Sequence, residues 1–158
     1  MKNLKQLYFI AFLTLLSFNL TKKANAHCEI PCGIYEDTLR IELIKEHITT
    51  IEKSMKMIIK LSNEEPLNYN QIVRWVNNKE DHANKLQEIV SQYFLHQRII
   101  PVEPDKKEMY EKYIKHLSLL HELLVYSMKA KQTTDLQYIE KLNLTINAFE
   151  ESYFHKHE

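Results

Sequence analysis

The stretch RIELIKEHITTIEKSMKMI, residues 40–58, decides the fold. Its apolar residues Ile41, Ile44, Ile48, Ile51, Met55 and Ile58 follow one another at steps of 3, 4, 3, 4 and 3. That recurrence matches the turn of an α-helix and lays one stripe along one face. The spacing predicts a helix from about Glu36 to Ser62. Glu64, Glu65 and Pro66 end it, because proline cannot continue the hydrogen-bond ladder.

The same period recurs downstream. A second helix is predicted from about Asn68 to Gln97, with Ile72, Val76, Ala83, Leu86, Val90 and Tyr93 on its inner face. Its seam is weakest across the polar stretch from Asn77 to Asp81. Pro101 and Pro104 make the next connection extended, since each also restricts the residue before it. A third helix is predicted from Asp105, a favourable N-cap residue, to about Lys131. Tyr110, Ile114, Leu117, Leu120, Leu124 and Met128 form its stripe. A fourth begins near Thr133 to Asp135 and carries Leu136, Ile139, Leu142, Ile146, Phe149 and Tyr153. Short links make successive helices antiparallel neighbours, so the expected fold is all-α, an up-down four-helix bundle. A helical hairpin pair that completes its core by oligomerising is the alternative, with Trp75 and Tyr126 as candidate exposed aromatics. The scarcity of turn residues, one Gly and four Pro in 158 residues, argues against a β-rich fold.

The first 26 residues differ in kind. Lys2 and Lys5 precede an apolar run from Leu7 to Leu20, and the stretch closes on Ala24-Asn25-Ala26. A basic start, a short apolar core and an Ala-x-Ala end read as a secretory leader cleaved after Ala26. The run is too short to span a bilayer comfortably as an anchor. Cleavage would make residues 1–26 a leader and 27–158 the mature domain, with residues 27–35 an irregular segment around Pro31 and Gly33 and residues 36–158 the bundle. Export to a periplasm, the medium or an organelle lumen is implied, with no membrane attachment afterwards. Basic and acidic residues number 21 each. Four of the basic ones fall in the leader with no acid, so the mature chain is mildly acidic. No basic patch dominates, which disfavours a nucleic-acid partner.

Metal chemistry on a helix bundle often uses Glu-x-x-His on paired helices. None of His47, His82, His96, His116, His121, His155 or His157 has Glu three places earlier. A ferritin-like di-iron site is therefore disfavoured. The donors lie instead in His27-Cys28-Glu29-Ile30-Pro31-Cys32-Gly33-Ile34-Tyr35. Cleavage after Ala26 would free the α-amine of His27. That amine, the His27 imidazole, the Cys28 backbone amidate and the Cys28 and Cys32 thiolates put five donors within six residues. The set suits a square-planar or tetragonal ion such as nickel. Two other readings stay open at this level. A structural zinc site usually takes four side chains at longer spacing, and two cysteines in an exported chain can pair as a disulfide. A secreted helical binding protein with a terminal disulfide, or a nickel or copper carrier, would carry the same residues.

The nine-residue segment closely resembles the hook of nickel superoxide dismutases, His-Cys-Asp-x-Pro-Cys-Gly-x-Tyr, with Glu29 in place of Asp. The resemblance implies a four-helix bundle assembled as a homohexamer and an antioxidant activity. That activity converts two superoxide ions and two protons to O2 and H2O2 by Ni(II)/Ni(III) cycling, with one nickel ion per chain. It implies metal ligation by His27, Cys28 and Cys32, with Pro31 and Gly33 shaping the hook. It places Tyr35 at the substrate entrance and a processing peptidase upstream. Arg40-Ile41-Glu42 resembles the family's Arg-Ile-Glu, although the segment from Tyr35 is one residue shorter than in some members. Glu42 would then hydrogen-bond the His27 imidazole. Lys79-Glu80-Asp81-His82 aligns with a stretch that ends in Arg in some members, where that Arg contacts the imidazole network from a neighbouring subunit. Ser91-Gln92-Tyr93-Phe94 resembles the family's Tyr-Phe pair, which puts Tyr93 either near the metal pocket or in the seam.

Overall fold

The computed structural model describes Tyr8 and residues 36–154. Residues 1–7 and 9–35, which take in the rest of the expected leader and the expected hook, and the last four residues lie outside that range. Four helices follow in chain order: α1 (Glu36–Ser62), α2 (Tyr69–Glu88), α3 (Lys107–Gln132) and α4 (Gln137–Phe154). α2 runs on into a π-helical segment, Ile89–Arg98. α1 packs chiefly on α2 and α3 on α4, and α2–α3 and α1–α4 contacts close the bundle. The chain is thus the expected all-α four-helix bundle. Among the described residues no helix is long and apolar enough to cross a membrane.

α1 buries every residue of the stripe read from sequence, and adds Leu61 and Ser54. Ser54 is tolerated in the core because its hydroxyl donates to the Thr50 carbonyl at 2.8 Å and accepts from Asn78 Nδ2 at 2.9 Å. α2 starts as expected: the Asn68 side chain accepts from the Gln71 backbone N–H at 3.2 Å. Its first turns are peripheral, however, and Val76 is exposed. Trp75 and Tyr126 are half-buried rather than exposed. Each has a lysine over its ring, Lys53 at 5.9 Å and Lys141 at 5.6 Å.

The structure corrects two readings of the third helix. Its N-cap is Lys106, which makes no side-chain cap bond, and Asp105 lies in the turn before it. Its buried stripe is His116, Leu120, Leu123, Ser127 and Ala130. Of the residues expected there, only Leu120 is fully buried, while Ile114 and Met128 are exposed. The leucine-rich run offers two overlapping stripes, and polar partners decide between them. Ser127 Oγ donates to the Ala83 carbonyl at 3.1 Å, and His116 Nε2 lies 3.1 Å from Ser152 Oγ. Buried and satisfied, these polar residues cost little, whereas composition alone marks them as surface.

The polar stretch of α2 has a structural purpose. Lys79 is buried at 4% exposure. Its ammonium donates to the carbonyls of Lys131 at 2.6 Å and Thr133 at 3.1 Å. A cation thus caps the carbonyl end of α3, where the helix dipole is negative. Burial pushes its pKa down, against the opposing pull of Glu80. Substitution Lys79→Met keeps the aliphatic stem and removes both bonds. Chemical denaturation is expected to show a loss of about 2 kcal/mol, the worth of hydrogen bonds to a charged group.

The π segment buries Val90, Tyr93 and Phe94. Its wider turns leave the Ile99 N–H donating to the Phe94 carbonyl at 3.0 Å, five residues back. Neighbouring Tyr93 and Phe94 therefore both point inward. Phe94 meets Phe149 edge-on, centroids 5.1 Å apart, and Phe149 stacks on Tyr153 at 5.2 Å. This aromatic layer closes the end of the bundle at which α1 begins.

Candidate metal centre

The five expected donors, with His27, Cys28 and Cys32 as the expected side-chain ligands, lie outside the described residues, as does Tyr35. The structure does describe the start of α1, which follows them in the chain. The chain enters α1 at Glu36, whose φ of 59° is in the left-handed region. For a residue with a Cβ that conformation costs roughly 1–2 kcal/mol. The backbone thus turns sharply at the residue after Tyr35.

One residue further on, Asp37 gathers three donors from two other elements. Its Oδ1 accepts from the Tyr93 hydroxyl at 2.5 Å and from Arg98 Nε at 2.9 Å. Its Oδ2 accepts from the Tyr153 hydroxyl at 2.7 Å. A second Arg98 nitrogen donates to the Tyr93 oxygen at 3.0 Å. Arg98 and Arg40 both lie over the Tyr93 ring, 4.8 and 5.0 Å from its centroid. Burial alone would raise the Asp37 pKa. The hydrogen bonds from Tyr93 and Tyr153 and the Arg98 charge outweigh it and hold the carboxyl below its usual range. Both phenols are pushed up, first by burial and then by the Asp37 bond. At neutral pH the cluster is therefore a carboxylate accepting from two phenols and a guanidinium. It ties the start of α1 to the π segment and to the end of α4. A cleft of about 310 Å³ opens beside it, lined by Arg98, Ile100, Val102, Tyr113, His116 and Tyr153 among others.

Of the two roles left open in the sequence, the structure shows the seam: Tyr93 is buried at 2% exposure, and its hydroxyl joins the Asp37 cluster. Asp37, Arg98 and Tyr153 carried no signal as site residues. An acid in the first turn of a helix reads as a partner of the dipole, and an arginine near a helix end reads as surface. Only their proximity reveals the cluster.

Glu42 sits on a different side of α1. Five residues at about 100° each turn it about 140° from Asp37. It is exposed, its Oε1 paired with Lys45 at 3.2 Å, and Lys45 in turn reaches Glu150 of α4 at 2.8 Å. The Lys45 ammonium is raised, mainly by its bond to Glu150. His82 faces α1, its Nδ1 3.1 Å from His47 Nδ1. Among the described residues no three His, Cys, Asp or Glu side chains are grouped to hold a metal ion.

A four-helix bundle preceded in the chain by a histidine and two cysteines within six residues has the make-up of a small helical metalloprotein. The family model for nickel-containing superoxide dismutase matches residues 22–157, and the chain belongs to that family. It is accordingly an oxidoreductase acting on superoxide, and its cofactor is nickel. No curated protein and no solved structure matches the chain. The donors at residues 27–32 fit the metal: two thiolates and an anionic amidate favour tetragonal coordination and a raised oxidation state.

Proposed function

We propose that this protein is an exported superoxide dismutase whose nickel is held by the first six residues of the mature chain. A peptidase cleaves between Ala26 and His27. The amine and imidazole of His27, the amidate and thiolate of Cys28 and the thiolate of Cys32 hold the ion. When bound, nickel supplies the Ni(II)/Ni(III) couple by which two superoxide ions and two protons become O2 and H2O2. The observation that carries this reading is the family match from residue 22, which takes in the whole hook.

The protein's own residues then position and screen. Tyr35 guards the entrance, its phenol ordering water and admitting only small anions. Glu42 accepts from the His27 imidazole and holds its orientation, as carboxylates do for metal-bound histidines. The Asp37 cluster braces the first turn of α1 against the bundle, so the hook springs from a fixed base. Arg40 adds positive charge at this end for an anionic substrate. A superoxide ion needs access and a proton supply rather than a deep pocket. Six chains assemble into a homohexamer.

N-terminal sequencing with metal analysis of one mature sample tests the proposal. The expected result is His27 as the first residue and about one nickel per chain, as for a single ligand set. Zinc alone, or no metal and no superoxide consumption after nickel loading, would overturn it. Glu42→Gln is expected to weaken nickel retention by roughly tenfold, the lower end for an outer partner of a ligand. Competition with a chelator checks this. Unchanged retention would remove Glu42 from the site.

A further inference from the structure

Where α1 meets α2, two imidazoles come together. His47 and His82 meet with their Nδ1 atoms 3.1 Å apart and their rings at 78°. Both are half-buried, so solvent still reaches them. The tautomers of the two rings decide which donates its Nδ1 proton to the other. We propose that this pair is a second metal site, a two-histidine clamp for a borderline divalent ion such as zinc, completed by water.

Three observations carry the inference. The first is the bite. Two nitrogens 3.1 Å apart, each at the usual distance of ~2.05 Å from zinc, subtend an angle of about 100° at the ion. That lies between the square-planar and tetrahedral values, so an ion can bridge the two nitrogens without widening their separation once the rings turn toward it. The second is availability. Burial lowers the proton affinity of both rings, and for His47 the neighbouring His82 adds to the effect. Both imidazoles are therefore neutral at physiological pH, the state that ligates metal. The third is the acidic side chains nearby: Glu46 beside both rings and Asp81 beside His82 would attract a cation, with Lys85 opposing them.

Binding needs no oxidant and releases no net proton. The ring that carries its proton on Nδ1 shifts it to Nε2 through solvent, and both Nδ1 lone pairs then face the ion. Imidazole pairs suit zinc, copper and nickel alike. Zinc is the redox-silent probe.

The test is equilibrium dialysis of the nickel-loaded mature protein against zinc at neutral pH, with nickel retention followed in the same samples. Wild type is expected to take up one more zinc per chain than either His47→Gln or His82→Gln. His121→Gln, an exposed histidine elsewhere, is expected to match wild type. Zinc should raise the melting temperature of wild type and of His121→Gln, and leave the two clamp variants unshifted. Equal zinc uptake by wild type and the clamp variants would overturn the proposal and leave the pair as a shared-proton contact between helices. Loss of the extra zinc in only one of the two clamp variants would overturn it too, since the clamp requires both rings.

Discussion

A chain whose Ala26–His27 bond is left intact is expected to lose superoxide dismutation while keeping its helices. With that bond intact the His27 nitrogen is an amide, its lone pair delocalised into the carbonyl, and it donates poorly. The ligand set then falls from five donors to four. Even an outer partner of a metal ligand is worth roughly 10–100-fold in affinity or activity. Removing a ligand should therefore cost at least about 100-fold. The fold should not suffer, because the core seam begins at Ile41, beyond the hook. Processed and cleavage-blocked protein, compared for nickel content, turnover and circular dichroism, check this. Full activity in the blocked chain would contradict ligation by the free amine.

Substitution Asp37→Ala is expected to have the largest effect on stability among changes outside the apolar core. It strands two phenols and a guanidinium that donate to one carboxylate. Bonds to a charged group contribute about 1.5–3 kcal/mol each, and three sharing one acceptor are not additive. Asp37 is also 26% exposed, which lets water replace part of the loss. A net loss of about 3 kcal/mol follows, or roughly 10 °C in melting temperature for a domain of this size. Tyr153→Phe, which removes one donor, should lose about 1 kcal/mol.

The pH dependence has a definite sign. The folded Asp37 pKa lies below its unfolded value. Its contribution is therefore complete above the unfolded pKa, near 3.8, and is lost as pH falls through the folded value. Wild type should lose more stability than Asp37→Asn on acidification across that window. Parallel unfolding curves at neutral pH and near pH 3 would show it. Because the cluster fixes the first turn of α1, which directly follows the proposed hook in the chain, nickel-loaded Asp37→Ala should also release its metal faster. An unchanged release rate would confine the cluster to stability.

Much of this protein is legible in its sequence, for reasons that are local. The α1 stripe is legible because periodic burial needs only residues three and four apart, and all six are buried. The proposed hook is a local reading for the same reason, since its five expected donors lie within six residues. The family resemblance rested on those same residues, and the family match bears it out. The third helix misled because its buried stripe, His116, Leu120, Leu123, Ser127 and Ala130, is the less apolar of the two that share Leu120. Hydrogen-bond partners on α2 and α4 chose between them.

What the tertiary structure alone decided is where polar groups meet across the bundle. Asp37 and Tyr153 are 116 residues apart, Lys79 and Lys131 are 52, and His47 and His82 are 35. In a local reading Tyr153 belongs to an apolar stripe and the others to the surface. Packing joins them into a hub, a cap and an imidazole pair because a buried polar group must find a partner. In these cases the partner comes from another helix, at a distance that only the packing sets.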